Sequence, residues 1–232
     1  MNHVRKSLLV LLTIVSSINI CFAADKNINT QLATYTKVRV SEFDQISAER
    51  KQELQKLATY ISKQLAAKQP VDLLFICTHN SRRSHIAQIW AQTAAAYYNV
   101  PMVRTSSGGT EVSAFNPNAV AALQRTGFNI KKTTDGSNPI YQVEYSSTAK
   151  PMTAFSKKYG DALNPKQSFA VVMTCANADK ACPYVTGASL RVATHYDDPK
   201  VADGTAQESH VYDNCVKQIS RELLYAFSLV KG

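Results

Sequence analysis

The stretch Val71-Asp72-Leu73-Leu74-Phe75-Ile76, running on into Cys77-Thr78-His79-Asn80-Ser81-Arg82-Arg83-Ser84, decides how the chain is read. Its first half is a nearly continuous apolar run, the pattern of a strand buried on both faces of a parallel sheet. Its second half is polar. Residues 84–98 then place Ile86, Ile89, Trp90 and Thr93 to Ala95 on one helical face. A loop that leaves the carboxyl end of a strand and enters a helix lies where α/β sheets hold ligands, and the N–H groups and dipole there favour an anion. Thr78, His79, Asn80, Ser81, Arg82 and Arg83 are therefore the candidate anion-binding residues.

Cys77 at the start of such a loop is a candidate nucleophile. The amides, the helix dipole and Arg83 all favour its thiolate. Arg83, six residues on, can fold back over the loop and hold a tetrahedral oxyanion with its planar fork. Ser84 can hydrogen-bond the thiolate or help it leave. A Cys-x5-Arg-Ser string recurs by chance, and a buried cysteine before a basic helix start is the bland alternative. The strand–loop–helix setting is what favours function.

Working outward, Met102 to Ser106 reads as a second strand. Asn116-Pro117 opens a helix that Gly127 closes. Ser168 to Thr174 is another buried strand, Leu190 to Ala193 a short one, and roughly 209–230 a final helix. Residues 131–166 read as irregular around an Asp135-Gly136-Ser137 turn. Strands alternating with helices predict a three-layer α/β fold with a mostly parallel sheet. Upstream, residues 24–36 read as loose and Lys37 to Phe43 as strand-like. Ser47 can cap a helix to about Ala67, with Leu54, Leu57, Ala58, Ile61 and Leu65 on one face.

Residues 1–23 carry a basic start (Arg5, Lys6), an apolar run from Leu8 to Phe22 and a small-residue exit before Ala24. That is the pattern of a secretory signal peptide cleaved after Ala23, and the run is short for a membrane span. The expectation is a secreted or periplasmic protein with no membrane segment after cleavage. The chain then divides into a signal (1–23), an extension with an amphipathic helix (24–70) and a catalytic domain (71–232). Of the five cysteines, Cys21 leaves with the signal. Lys and Arg number 26 against 17 Asp and Glu, but they are scattered, so no nucleic-acid partner is expected.

The loop 77–84, its flanks and Asn116-Pro117-Asn118-Ala119-Val120 resemble the low-molecular-weight protein tyrosine phosphatase superfamily, and more narrowly its thioredoxin-coupled arsenate reductases. The resemblance covers roughly residues 71–231 and implies a four-stranded sheet. It makes Cys77 the nucleophile, with Arg83 and Ser84 matching the family signature. The family commonly has glycine where His79 stands, and histidine is among the residues that tolerate left-handed φ. Arg82 adds positive charge that would favour anionic substrates.

Asp198 in His195-Tyr196-Asp197-Asp198-Pro199 resembles the family's acid, which protonates the departing oxygen. The phosphatase branch usually follows Asp-Pro with tyrosine; here Lys200 stands. Cys175 and Cys182, with six residues between them and directly after the strand 168–174, resemble the redox pair of the reductases. In that scheme a disulfide forms between Cys77 and Cys175 and moves to Cys175–Cys182 at a surface loop, where a thioredoxin-like thiol reductase reduces it. A structural disulfide is the alternative for an exported chain. No cofactor or metal is expected, since zinc at the pair would need two more ligands and His195 and His210 lack the spacing. Arsenate is the expected substrate. A phosphotyrosine or small phosphate ester is the alternative, and a non-catalytic oxyanion binder the third reading.

Overall fold

The structure is a computed structural model describing residues 27–231, so the signal segment lies outside the described residues. Helices α1 (Thr30–Val40) and α2 (Ala48–Ala66) precede β1 (Val71–Cys77), α3 (Arg83–Tyr97), β2 (Val103–Gly109) and α4 (Pro117–Thr126). Three short strands follow: β3 (Asn129–Lys132), β4 (Tyr141–Glu144) and β5 (Met152–Ala154). Then come β6 (Phe169–Met173), α5 (Ala176–Ala181), β7 (Ala188–Ala193) and α6 (Glu208–Ser228).

The main sheet is parallel throughout, in the order β2-β1-β6-β7. Because β1 lies inside it, both of its faces must be covered, which is why Val71 to Cys77 could be nearly all apolar. Leu73 and Phe75 join a core shared with α2, α3 and α6. Leu74 and Ile76 point to the opposite face, with Phe169, Val171 and Met173, beneath Ala178 of α5 and Tyr159. The predicted three-layer architecture holds, with helices on both sides of four parallel strands. Among the described residues no helix is long and apolar enough to cross a membrane.

Caps fix the helix ends as the sequence predicts. The Asn116 side chain accepts from the amides of Asn118 and Ala119, Pro117 takes the first helical position, and Gly127 ends α4 at φ +115°. Ser47 caps α2 by accepting from the Arg50 amide.

Four expectations are corrected. Lys37 to Phe43 is not a strand, nor are residues 24–36 loose throughout: Asn29 caps α1 by accepting from the Leu32 amide, and Leu32, Ala33, Thr36 and Arg39 are buried along it. Residues 131–166 are not wholly irregular, since β3, β4 and β5 form an antiparallel sheet. The link between Cys175 and Cys182 is helix α5 rather than loop. The extension is also built into the core. Leu32, Leu54, Leu57 and Ile61 are fully buried, each contributing about 1.5–3 kcal/mol of apolar burial. Tyr35 of α1 packs 5.4 Å from the Trp90 ring at the centre of the molecule.

Candidate active site

Cys77 is the last residue of β1, and the following loop is moulded by its carbonyls. Thr78 O accepts from Glu111 N at 2.8 Å, His79 O from Ser156 Oγ at 2.9 Å, and Ser81 O from Asn116 N at 2.9 Å. All these donors lie outside the loop. In a trans peptide the N–H opposes the C=O, so the amides of His79, Asn80 and Arg82 turn toward the loop's centre. That is the concave set of donors an oxyanion requires. Gly109, opposite at the end of β2, allows this curvature. A Cβ there would lie 2.7 Å from both Asn80 N and Thr78 O.

The left-handed residue of the loop is Asn80, at φ +43°, and not His79. Asn80 is fully buried and does two things with its amide. Its Oδ1 accepts from Lys157 N at 2.8 Å, and its Nδ2 donates to Ser84 Oγ at 2.9 Å. Because that oxygen is already accepting, the Ser84 hydroxyl proton is free to point at Cys77 Sγ, 3.0 Å away. His79 instead stands exposed at the rim, 3.1 Å from Glu111.

The two adjacent arginines do different work. Arg82 turns away from the loop: Nε donates to Tyr212 Oη at 2.7 Å and an Nη to Asp203 at 3.0 Å. Its expected contribution to substrate charge is thereby given to anchoring the helix start against α6. Arg83 turns to the loop 195–199, donating to Tyr196 O at 3.0 Å and to Asp198 Oδ2 at 2.6 Å. Its Nε is buried without a partner, a free donor held beside the anion loop. Asp198 also caps the following turn by accepting from Lys200 N.

Cys175 and Cys182 share one small buried cluster with Cys77. Cys175 follows β6, the strand beside β1, and Thr174 N donates to Ile76 O at 2.8 Å, so the two strand ends lie side by side. The Thr78 hydroxyl is 3.5 Å from Cys175 Sγ. Cys182 was expected at a surface loop, but it is buried against Tyr159, whose phenol pKa the charge of the neighbouring sulfur raises. All of the described cysteines are free thiols. Cys215, on α6, has its thiol pushed up to about 12 by burial and stays protonated.

His85 and Gln88, in the first turns of α3, are both buried. His85 Nδ1 lies 3.2 Å from Ser107 Oγ and its ring packs on Phe115. Desolvation, then the nearby Lys157 charge, lowers its pKa to about 3, so it is neutral. Gly109, Lys157 and Tyr196 support the site without any local sequence signal, because each acts through backbone from a distant segment.

No family profile matches the chain. An arsenate reductase from Bacillus licheniformis is 28% identical over 158 residues, covering 67% of this chain and 94% of that protein. One from Bacillus subtilis is 30% identical over 140 residues, covering 60% of this chain and 82% of the relative. A low-molecular-weight protein tyrosine phosphatase from Bacillus subtilis, known in solution, overlays at a TM-score of 0.46 with 15% identity, covering 68% of this chain and 96% of that one.

Proposed function

Because the chain belongs to the arsenate reductase family, we propose that it reduces arsenate to arsenite with three of its own cysteines. The observation that carries this reading is the placement of Cys77, Cys175 and Cys182 in one buried cluster at the carboxyl ends of β1 and β6. A phosphatase needs one of these sulfurs; a two-electron reduction needs a second, and regeneration of the nucleophile a third.

In this proposal arsenate sits among the loop amides with Arg83 Nε on one oxygen. The Cys77 thiolate attacks arsenic, an As–S bond forms, and Asp198 gives a proton to the departing oxygen, which leaves as water. Asp198 must first release Arg83, which the incoming anion favours by taking up the guanidinium. The Cys175 thiolate then attacks Cys77 Sγ. The S–S bond forms as the S–As bond breaks, and its electron pair stays on arsenic as As(III). Cys182 next attacks Cys175, releasing the Cys77 thiolate and leaving a Cys175–Cys182 disulfide for an external dithiol, a thioredoxin-like reductase, to reduce.

The test starts from fully reduced protein and excess arsenate without oxygen. Two thiols should disappear per chain, with one arsenite formed. In Cys182→Ser a Cys77–Cys175 link should accumulate in non-reducing peptide maps. No thiol loss, or no such link, refutes the redox scheme. The phosphatase reading is favoured by one observation: Cys77, Arg83 and Asp198 would serve a phosphate ester equally well. It predicts that Cys175→Ser keeps near-wild-type hydrolysis of p-nitrophenyl phosphate while Cys77→Ser has none.

We further propose export, on the pattern of residues 1–23. The mature protein's mass should then show loss of those residues, and an intact N-terminus would refute it.

A further inference from the structure

The helix α2 lies outside the anion loop and the cysteine cluster, yet one of its side chains reaches the loop that carries the acid. Arg50, in its first turn, donates from Nη2 to His195 O at 2.8 Å. Its Nη1 lies 3.2 Å from Glu222 Oε2, and its guanidinium sits over the Tyr196 ring, 5.2 Å from the centroid. Glu222 is 3% exposed. Burial pushes its carboxyl up, and Arg50 pulls it back down. Tyr196 is buried as well, and burial, then the nearby Glu222 carboxylate, raises its pKa.

Arg50 therefore grips residues 195 and 196 at a carbonyl and at a ring. The backbone of the same residue, Tyr196, faces the other way and orients the site: its carbonyl accepts from Arg83 Nη1 at 3.0 Å, and Asp198 follows two residues on. Few partners other than a guanidinium could bond a carbonyl, pair with a buried carboxylate and stack on a ring at once. The arrangement costs desolvation of two charges, a cost that sequence could have avoided with apolar residues.

We propose that Arg50 is a positioning residue for the reaction: through His195 and Tyr196 it fixes the loop that holds Asp198 and aims Arg83, which gives the N-terminal extension a part in catalysis. The inference rests on the proposed activity, because it concerns the acid of that same site. It touches neither substrate nor sulfur.

Removing Arg50 alone would strand a buried Glu222, so the informative variant is the neutral pair Arg50→Met with Glu222→Gln, which keeps the stem packing and a partner for Tyr196. Misplacing a reacting group by about 1 Å can cost on the order of 100-fold. With arsenate in single turnover, and with p-nitrophenyl phosphate, the pair should lose roughly 10- to 100-fold in kcat while KM moves less than about threefold. Adding Asp198→Asn to this background should cost less than about threefold more, because the acid is already out of place. A neutral pair with wild-type kcat, or an Asp198→Asn effect that multiplies in full, overturns the proposal. If the wild type turns over neither substrate, the proposed activity itself has failed. Amide exchange over residues 195–198 then still decides the tie. Exchange about tenfold faster in the neutral pair supports it, and unchanged protection refutes it.

Discussion

Asp179→Ala should make the Cys175–Cys182 disulfide easier to form, and the geometry of α5 says by how much. The two cysteines flank the helix seven residues apart, and at 1.5 Å per residue an intact helical path puts their Cα atoms about 10 Å apart. A disulfide needs them within about 7 Å, so oxidation must unwind α5. What holds α5 down besides the buried Ala178 is Asp179, which pairs with Arg191 and lies 2.9 Å from His195 Nε2. The carboxylate is one-quarter exposed, so this tie is worth about 1–2 kcal/mol, between a surface pair and a buried one. That energy opposes oxidation and vanishes in the variant. The dithiol–disulfide equilibrium should shift by about 5- to 30-fold, which is roughly 20–45 mV toward a more negative potential. A glutathione or dithiothreitol titration in a Cys77→Ser background, with thiols counted by alkylation and mass, reads this directly. A potential unchanged within about 5 mV, or moved the other way, would mean the disulfide forms without disturbing α5.

The remaining predictions concern the loop and its support. Asn80→Asp keeps the acceptor for Lys157 N but removes the donor to Ser84 and puts charge near Cys77, so Cys77 alkylation and turnover should fall by about 100-fold, and urea unfolding should show the buried carboxylate costing about 3 kcal/mol. Cys77 alkylation at the wild-type rate would refute the support that Asn80 and Ser84 give to that sulfur. Gly109→Ala forces a methyl against Asn80 N and Thr78 O, and calorimetry should show inorganic phosphate binding at least about tenfold more weakly; unchanged affinity would mean the loop does not need that close approach. His85 holds a pKa of about 3 in the fold against 6.5 in the unfolded chain, so the unfolded state binds the extra proton between those values. Its contribution is fully present above pH 6.5 and is lost as pH falls toward 3, roughly 2–3 kcal/mol between pH 6.5 and 4.5. Urea midpoints of His85→Asn should lack that part of the pH dependence, and an unaltered profile would exclude His85 as its source.

Which parts of this molecule could be read from sequence follows from how local their causes are. The strand Val71–Cys77 was legible because a doubly buried strand must be apolar throughout, and α4 because Asn116, Pro117 and Gly127 write its ends in adjacent letters. Helix α1 was hidden because two of its four buried positions are Thr36 and Arg39, which blur the apolar stripe. The strands β3, β4 and β5 run three or four residues each, too short for alternation to show, and they exist because each pairs with the next. Cys77, Ser84 and Arg83 could be named from a spacing. That Arg82 and Arg83 diverge could not, because Tyr212 and Asp203 for one, and Tyr196 and Asp198 for the other, lie more than a hundred residues away. The left-handed position was placed at His79 on the family resemblance and falls at Asn80, where Lys157 and Ser84 both bind the side chain.

If the protein is exported, its thiols meet an oxidising compartment, and the same geometry bears on how they survive there. Two of the three sulfurs, on Cys175 and Cys182, are separated by a formed helix, and Cys182 is covered by Tyr159. Direct oxidation of that pair first has to break α5 and its Asp179 ties. Cys77 and Cys175 have no such barrier between them, since they end neighbouring parallel strands within one apolar cluster. The order of the proposed chemistry is thus favoured by structure as well as by reactivity: Cys77 with Cys175 first, at the anion, and Cys182 only once oxidation of Cys175 gives α5 a reason to unwind. An ordinary structural disulfide would need the opposite arrangement, with its cysteines already at bonding distance in the folded chain.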